Sequence, residues 1–194
     1  MICAPEQVAE LFRRAQKIQA VLLDVDGVFT NGEIVYTSGD EEIKHYDAHD
    51  GLGIKMAQTA GLLVGIISAR ESKAIRRRAA DLKIDILYLG RYDKLNAYLE
   101  FQKAYPLPDE AVCFVGDDLP DIPVLQQVGL PVAVRNASLP VKQAARFVTK
   151  RPGGRGAVRE VIEFILHARG QLEETIQRLS TLHRQAGETI EAEE

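Results

Sequence analysis

The sequence predicts one α/β domain over residues 1–194, with a doubly wound, mostly parallel sheet at its centre. Short apolar runs alternate along the chain with stretches of helical periodicity, an order that is typical of strand–helix–strand units. The runs are apolar almost throughout, as in strands that helices cover on both faces. A chain of 194 residues also fits one compact domain better than two.

Five apolar runs are the predicted strands of this sheet. In chain order they are residues 20–23, 62–67, 84–89, 111–115 and 131–134. The helical patterns between them cover about residues 51–60, 71–82, 93–104 and 119–128. Gly61 and Gly129 follow the first and the last of these helices, where glycine is expected because it tolerates the positive φ of a helix C-terminus. Each helix therefore connects one predicted strand to the next.

Residues 33–46 interrupt this alternation with a predicted β-hairpin. Two short β-prone runs flank Ser38, Gly39 and Asp40, which are typical turn residues. Because the hairpin follows the first strand, we expect it to form a flap near the carboxyl end of that strand. The hairpin has too many large side chains for an isolated two-stranded ribbon that is exposed to water. We therefore expect a neighbouring subunit to cover them. They belong to Ile34, Val35, Tyr36, Ile43 and Tyr46.

Residues 157–194 form a predicted helical tail. Apolar residues recur there at spacings of three, four or seven positions, which indicates one or two amphipathic helices. If there are two helices, Gly170 is the expected point of division.

The composition favours a cytoplasmic protein. The chain carries 28 acidic and 24 basic residues, and its net charge of −4 gives no reason to expect a nucleic-acid or membrane partner. No apolar run approaches the roughly 20 residues that span a bilayer. The N-terminal residues also lack the pattern of a secretory signal. Cys3 and Cys113 are too few for a metal cluster and are expected to be reduced thiols.

Asp24 and Asp26 follow the first predicted strand directly. Two carboxylates beside so apolar a strand are costly unless something pairs with them. Because side chains alternate along an extended chain, both are expected to point the same way, and Gly27 lets the backbone turn after them. Taken alone, the pair could also be helix caps or turn residues.

Polar groups also follow the other predicted strands. Ser68 comes after the second strand, Lys94 after the third, and the segment 116–121 (GDDLPD) after the fourth. The carboxyl ends of strands in open α/β sheets are where ligands bind. Several converging carboxylates need a hard cation, and an all-oxygen set favours Mg²⁺ over zinc. A serine hydroxyl and a lysine ammonium would complete a phosphate site.

In this order, the motifs resemble the haloacid dehalogenase superfamily of phosphohydrolases, whose fold is Rossmann-like. The resemblance implies that Asp24 is the nucleophile and forms an aspartyl-phosphate. It implies that Asp26 protonates the leaving oxygen and then activates water, with Ser68 and Lys94 as further catalytic groups. Mg²⁺ would be held by Asp24, the backbone carbonyl of Asp26, and Asp117. Asp121 would support this set, and Asp118 would be either a neighbour of the ligands or an orienting group.

Three further segments indicate a more specific family within this superfamily. They are DVDGVFTNG (24–32), DGLGI (50–54) and GGRGAVRE (153–160). They resemble the capless family of 3-deoxy-D-manno-octulosonate 8-phosphate (KDO 8-phosphate) phosphatases, and the span between Asp26 and Ser68 leaves room for a hairpin but for no cap domain. The resemblance implies a small phosphorylated sugar acid as substrate, a place in lipopolysaccharide sugar biosynthesis, and a homotetramer closed by the hairpins.

The sugar acid needs cations for its carboxylate and contacts along its length. Arg70 and Arg78 are expected to share one helix face. The resemblance adds the segment 47–51 and Lys55. The predicted substrate-binding residues are Asp26, Asp47, Ala48, His49, Asp50, Gly51, Lys55, Arg70, Arg78 and Lys94. The chain departs from the family at His49 and Lys55, where arginines are expected, and at Ala69, where a glycine is usual.

Two other functions stay open at this point. A phosphatase for a nine-carbon keto-sugar acid phosphate, such as KDN 9-phosphate, would share the fold and the mechanism. A non-catalytic phospho-acceptor signalling domain also combines aspartates and a lysine on a doubly wound sheet. Such a domain, however, places its phosphorylated Asp at the end of the third strand, where Gly90 follows Leu89 here. Arg155, between glycines, could belong to an anion-binding loop or to a turn, and the resemblance favours a place near a neighbouring subunit's site.

Overall fold

The computed structural model describes residues 5–39 and 42–191. Its centre is a six-stranded parallel sheet in the order β5-β4-β1-β6-β7-β8, and β2 and β3 form a separate antiparallel ribbon. The strands are β1 (Ala20–Leu23), β2 (Val35–Tyr36), β3 (Glu42–Ile43), β4 (Leu63–Ile67), β5 (Ile86–Tyr88), β6 (Val112–Gly116), β7 (Leu130–Ala133) and β8 (Phe147–Val148).

The helices pack in two groups on the sheet. One group contains α1, α2, α3, α7 and α8, and the other contains α4, α5 and α6. Because crossovers between parallel strands are right-handed as a rule, the two groups are expected on opposite faces of the sheet. The helices are α1 (Pro5–Gln16), α2 (Ala48–Thr59), α3 (Lys73–Leu82), α4 (Lys94–Ala104), α5 (Ile122–Leu125), α6 (Leu139–Ala144), α7 (Ala157–Ala168) and α8 (Leu172–Glu191).

The sheet has its topological switch point between β1 and β6. From β1 the chain first adds β4 and β5 on one side, and it then returns to add β6, β7 and β8 on the other. Every residue of β1 and β6 is buried, which explains why both are apolar throughout. The crevice beyond the carboxyl ends of these two strands is where an open α/β sheet binds its ligand.

The predicted α/β architecture is confirmed, with differences at individual elements. All five predicted strands are present, whereas β8, α1 and α6 were not predicted. The predicted helix at 119–128 is a 3₁₀ turn (Leu119–Asp121) followed by the single turn of α5. Pro120 and Pro123 each lie in the first turn of their segment, where the missing N–H is tolerated, and Pro123 cannot donate the hydrogen bond that would join α5 to the preceding turn.

The two glycines predicted at helix ends have different roles. Gly61 has a φ of +80°, as predicted. The prediction for Gly129 is wrong, because it is not among the described glycines with a positive φ. A Cβ on Gly129 would lie 2.5 Å from Cα of Glu110, so this position needs glycine for the close approach of two backbones.

The predicted tail consists of two helices, α7 and α8, and Gly170 between them has a φ of +68°. Residues 192–194 of the tail lie outside the described residues, as does Cys3. The thiol of Cys113 is free and buried in the core. Within residues 5–39 and 42–191, no helix is both long and apolar enough to cross a membrane.

The predicted hairpin is present as β2 and β3, in which Val35 pairs with Ile43. Asp40 of its predicted turn lies outside the described residues. An isolated antiparallel bridge between Thr30 and Tyr46 closes the base of the hairpin. This bridge ties the flap to the loop that follows β1.

Candidate active site

The loop after β1 begins with Asp24, whose backbone N–H donates to the carbonyl of Val115 on β6 (3.0 Å). The hydroxyl of Thr30 accepts hydrogen bonds from the backbone N–H groups of Gly27 (3.4 Å) and Gly32 (3.3 Å). Gly27 has a φ of +92°, and a Cβ there would lie 2.0 Å from Oδ2 of Asp117. Glycine therefore allows both the turn and the close approach of Asp117.

Asp24, Asp117 and Asp121 converge at this crevice, and one oxygen of each lies within 4.8 Å of the others. The ammonium of Lys94, at the first turn of α4, lies 2.8 Å from Oδ1 of Asp24 and 2.6 Å from Oδ1 of Asp121. Oδ2 of Asp121 accepts the backbone N–H groups of Asp117 (2.8 Å) and Asp118 (3.2 Å). Both oxygens of Asp121 are thus engaged with Lys94 and with the backbone that carries Asp117.

The acidic cluster carries more negative charge than Lys94 alone neutralises. Burial, reinforced by the charges of Asp24 and Asp121, raises the pKa of Asp117 to about 8. Burial raises the pKa of Asp24 to about 6, although Lys94 opposes this shift. Oδ1 of Asp117 is buried without a hydrogen-bond partner. A hard divalent cation fits this set, because it would satisfy the orphaned oxygen and offset the charge.

We expect Mg²⁺ to stabilise the fold more at alkaline than at acidic pH. The folded-state pKa values of Asp24 and Asp117 lie above the ordinary 3.8, so the stability that these carboxyls contribute in the metal-free protein falls as the pH rises towards 8. Thermal unfolding with and without Mg²⁺, at about pH 5 and about pH 8, measures the difference. An Mg²⁺-dependent rise in Tm that is equal or larger at the lower pH would contradict this expectation.

Asp118 is exposed and borders the same pocket, but it is not one of the three carboxylates that converge. Its carboxylate accepts the backbone N–H of Leu119 (2.9 Å) and caps the 3₁₀ turn that carries Asp121. Of the two roles predicted for Asp118, the orienting role fits this geometry.

Asp26 faces the hairpin rather than the acidic cluster. Its Oδ1 forms a short ion pair with the ammonium of Lys44, and its Oδ2 lies 3.8 Å from Nε of Arg70. Lys44 also lies 3.2 Å from Oε1 of Glu42. Neither Lys44 nor Glu42 was predicted as a site residue. The charge of Lys44 is the feature of the sequence that could have indicated it, since it is the only lysine or arginine in residues 33–46.

Arg70 joins the hairpin to the loop after β4. Its guanidinium donates to the hydroxyl of Tyr36 (3.1 Å) and to Oε1 of Glu42 (3.1 Å). Burial opposes ionisation of Glu42, but the hydrogen bond from Lys44 and the nearby cations outweigh it and lower the pKa of Glu42. Glu42 is therefore an anion shared between Lys44 and Arg70.

A pocket of about 280 Å³ opens above the acidic cluster. Ser68 is buried at its wall, and Oγ of Ser68 accepts the backbone N–H of Arg70 (3.2 Å), which leaves the hydroxyl proton to be donated. The charged and hydroxyl residues that line the pocket are Asp24, Asp26, Ser68, Arg70, Lys94, Asp117, Asp118 and Asp121. The pocket has the size and the groups for one phosphate ester end.

Known proteins of similar sequence and structure agree with this geometry. Residues 84–162 match the family model described as haloacid dehalogenase-like hydrolase. The 3-deoxy-D-manno-octulosonate 8-phosphate phosphatase of Escherichia coli K12 is 42% identical over 166 residues, which are 86% of this chain and 88% of that protein. This chain belongs to the KDO 8-phosphate phosphatase family of haloacid dehalogenase-like hydrolases. The protein is an enzyme of the phosphatase class.

Solved structures of KDO 8-phosphate phosphatases have the same fold. The enzyme from Yersinia pestis is 43% identical with a TM-score of 0.83, and the match covers 84% of this chain and 89% of that one. The enzyme from Moraxella catarrhalis is 33% identical with a TM-score of 0.85, and the match covers 88% and 98%. The Moraxella structure contains a magnesium ion, a phosphate ion and a KDO molecule.

Among the residues that the family resemblance assigned to the substrate, Asp50 has a structural role. It is fully buried, and its oxygens accept the backbone N–H groups of Gly156 (3.1 Å) and Arg159 (2.9 Å) at the start of α7. Burial raises the pKa of Asp50, although these backbone hydrogen bonds oppose the rise. Both oxygens of this buried carboxylate are therefore engaged in fastening the DGLGI segment to GGRGAVRE.

Asp50→Asn is expected to lower the free energy of unfolding by about 1–3 kcal/mol, because one of the two backbone N–H groups loses its acceptor and faces an amide NH₂. Urea unfolding of the variant measures the loss. Asp85→Asn, at an exposed aspartate, is the matched control. An unchanged midpoint in Asp50→Asn would contradict the structural role.

Lys55 is also directed away from the predicted substrate site. Its ammonium donates to the carbonyl of Leu82 (2.6 Å) and thereby caps the C-terminus of α3. This position does not support the prediction that Lys55 contacts the substrate. A lysine on α2 can extend towards the substrate site or towards α3, and the sequence alone does not distinguish these directions.

Arg78 lies behind the hairpin base and does not line the phosphate pocket. Its guanidinium sits 5.9 Å from the ring centre of Phe29 and 5.6 Å from that of Tyr46. Gly51 makes room for it, since a Cβ there would lie 2.4 Å from Nη2 of Arg78. The expectation that Arg70 and Arg78 share a helix face is wrong, because α3 begins at Lys73 and Arg70 precedes it.

Asp47, Ala48 and His49 line a different pocket of about 620 Å³, together with Arg155. Asp47 caps α2 by accepting the backbone N–H of His49 (2.7 Å). The imidazole of His49 is exposed, with Nδ1 3.1 Å from Oδ1 of Asp47. The structure thus divides the predicted substrate residues between the phosphate pocket and neighbouring surfaces.

The GGRGAVRE segment packs directly against the loop that follows β1. A Cβ on Gly153 would lie 1.7 Å from the carbonyl oxygen of Gly27, and Gly154 donates its N–H to Val28 (2.9 Å). Asn136 joins the two, since it donates to the carbonyl of Gly27 (3.2 Å) and accepts the N–H of Gly153 (2.7 Å). These glycines therefore hold the loop that carries Asp24.

Proposed function

We propose that this protein is a magnesium-dependent phosphomonoesterase that converts KDO 8-phosphate to KDO and phosphate through an aspartyl-phosphate on Asp24. The observation that carries the proposal is the convergence of Asp24, Lys94 and Asp117 in one pocket of a family member. Support also comes from the Moraxella relative, which binds magnesium, phosphate and KDO.

In the proposed first step, an oxygen of Asp24 attacks phosphorus and the ester oxygen of the sugar leaves. Lys94 holds the carboxylate of Asp24 in place at 2.8 Å and brings a positive charge to the phosphoryl oxygens. Ser68 donates its hydroxyl to the same group. Asp26 gives a proton to the leaving oxygen, so that the sugar departs as a neutral alcohol.

Asp24, Asp117 and the backbone carbonyl of Asp26 are the residues that would hold Mg²⁺. The ion would neutralise charge between the carboxylates and the phosphoryl group, which otherwise repel each other. Asp121 would keep Asp117 oriented through its hydrogen bond to the backbone N–H of Asp117 (2.8 Å).

In the proposed second step, Asp26 takes a proton from water as the water attacks the aspartyl-phosphate. Phosphate leaves and Asp24 is regenerated as a carboxylate. The sugar carboxylate would be held by Arg70, which borders the phosphate pocket. The other predicted substrate contacts would need the flap or a neighbouring chain to complete them, and these are Asp47, Ala48, His49, Gly51 and Arg78.

The test is release of phosphate from KDO 8-phosphate, KDN 9-phosphate and common hexose phosphates, with Mg²⁺ and with a chelator in its place. We expect a strong preference for KDO 8-phosphate that the chelator abolishes. A preference for KDN 9-phosphate would keep the mechanism and replace the substrate. Undiminished activity in the chelator would remove the metal from the proposal.

We also propose that the protein acts in lipopolysaccharide sugar biosynthesis in the cytoplasm, as a homotetramer closed by its hairpins. The exposure of Ile34 (46%), Tyr36 (65%) and Ile43 (43%) supports the assembly, because the flap leaves apolar surface for a partner to cover. Light scattering should give the mass of four chains, and a monomeric mass would contradict the assembly.

A further inference from the structure

Lys44 has an unusual position for a lysine of a surface hairpin. Only 1% of its side chain is exposed, and its ammonium is paired with Oδ1 of Asp26 and lies 3.2 Å from Oε1 of Glu42. A buried ammonium is costly unless it is paired and hydrogen-bonded. The chain therefore places this charge beside the residue that serves as general acid in the proposed mechanism.

The pairing leaves the two oxygens of Asp26 in different surroundings. Oδ1 is held by Lys44, whereas Oδ2 is buried without a hydrogen-bond partner and lies 3.8 Å from Nε of Arg70. The χ2 rotation of an aspartate is soft, so an unrestrained carboxyl samples many directions. One strong ion pair at Oδ1 is enough to restrict this rotation and to leave Oδ2 as the oxygen without a hydrogen-bond partner.

Lys44 is itself held by a second carboxylate. Glu42 pairs with Lys44, and Arg70 donates to Glu42 at 3.1 Å. Asp26 lines the pocket that contains Asp24 and Lys94, whereas Lys44 does not, so Lys44 is connected to the pocket through Asp26. This arrangement suits a group that orients Asp26 and not one that touches the phosphoryl group.

We propose that Lys44 is a positioning residue, which holds Asp26 by Oδ1 so that Oδ2 presents its proton to the leaving oxygen. The proposal rests on the proposed function, because it takes Asp26 as the general acid. In the step concerned, an oxygen of Asp24 forms a bond to phosphorus while the bond from phosphorus to the ester oxygen breaks. The proton of Oδ2 passes to that ester oxygen, and Asp26 is left as a carboxylate that Lys44 still holds.

The test uses two esters of similar size that differ in their need for a proton. Benzyl phosphate releases an alcohol that must be protonated, whereas p-nitrophenyl phosphate releases a stable phenolate. We expect Lys44→Met to lower kcat/KM for benzyl phosphate by about 10- to 100-fold, since general acid catalysis contributes about 10²–10⁴-fold. The same variant should change kcat/KM for p-nitrophenyl phosphate by less than about threefold. This parameter reports the steps up to the first phosphoryl transfer and not the later hydrolysis.

Two further variants make the result specific. Asp26→Asn should show the same dependence on the leaving group, and adding Lys44→Met to it should cause little further loss, because both changes remove one function. Lys44→Arg keeps the charge on a longer side chain and should recover part of the activity on benzyl phosphate. If Lys44→Met fails to fold, Lys44→Arg and the wild type carry the comparison. Lys103→Met, at an exposed lysine of α4, is the control.

An equal loss on both esters would overturn the proposal, since it would make Lys44 a binding or folding residue. Losses that add fully to those of Asp26→Asn would also overturn it. The wild-type rates report separately on the proposed function. A wild type that hydrolyses both aryl and benzyl esters but not KDO 8-phosphate would refute the substrate while the ratio between the esters still tests Lys44.

Discussion

Asp24→Asn is expected to reduce phosphate release from KDO 8-phosphate by about 10⁴-fold or more, the scale of losses when a catalytic nucleophile is removed. The amide is nearly the same size as the carboxylate, so the buried loop should still fold. It is a poor nucleophile, however, and it cannot form the aspartyl-phosphate. It also weakens the metal set, because a neutral oxygen replaces an anionic one.

Steady-state assays at saturating Mg²⁺ measure this loss, and Asp85→Asn is the control because it removes an exposed carboxylate. Mass spectrometry of quenched wild-type reactions should detect one added phosphoryl group that the Asp24→Asn protein lacks. A variant that keeps a tenth of the wild-type rate, or that still acquires the phosphoryl group, would remove Asp24 from its proposed role.

Lys94→Met is expected to have the second-largest effect, on both stability and rate. The ammonium is buried between Asp24 and Asp121, at 2.8 Å and 2.6 Å from their oxygens. Breaking a buried ion pair costs about 3–5 kcal/mol, because the remaining charges are left unpaired. Loss of a preorganised charge beside the phosphoryl group should also lower kcat by about 10²–10³-fold.

Thermal unfolding and phosphate release measure the two effects of Lys94→Met, with Lys103→Met as the control. Mg²⁺ should stabilise this variant more than the wild type, because the ion then becomes the main counter-charge of the cluster. A wild-type Tm together with a wild-type kcat would show that Lys94 carries neither role.

The sheet and the centre of the site could be predicted from local pattern. A strand that is buried on both faces is a continuous apolar run, so its end is visible in the sequence as the first polar residue. This is why Asp24, Ser68 and Asp117 could be predicted, whereas Lys94 was predicted at the start of the helix after the third strand, and the parallel sheet brings all four to one edge. The short strand β8 was missed because Phe147 and Val148 form no run that differs from a loop.

The surroundings of the site could not be predicted in the same way. Asp50 contacts Arg159, 109 residues further along, and nothing near Asp50 in the sequence indicates that partner. The ammonium of Lys55 could have turned towards the substrate or towards α3, and packing decides between these. The role of Lys44 depends on the contact between the hairpin and Asp26. This is a tertiary contact, whereas the periodicity of the hairpin sequence predicts only a two-stranded ribbon.

The contact of Gly153 and Gly154 with the loop at 27–31 has a consequence for synthesis of the protein. A nascent chain that has left the ribosome only up to residue 130 already contains Asp24, Asp26, Lys94 and Asp117. It still lacks Asn136 and the two glycines that brace the turn after Asp26. Contacts between such distant residues form late, because loop closure precedes any gain from them. We therefore expect the growing polypeptide to become catalytically active only after most of its length has emerged. Hydrolytic activity then reports that the whole sheet has folded.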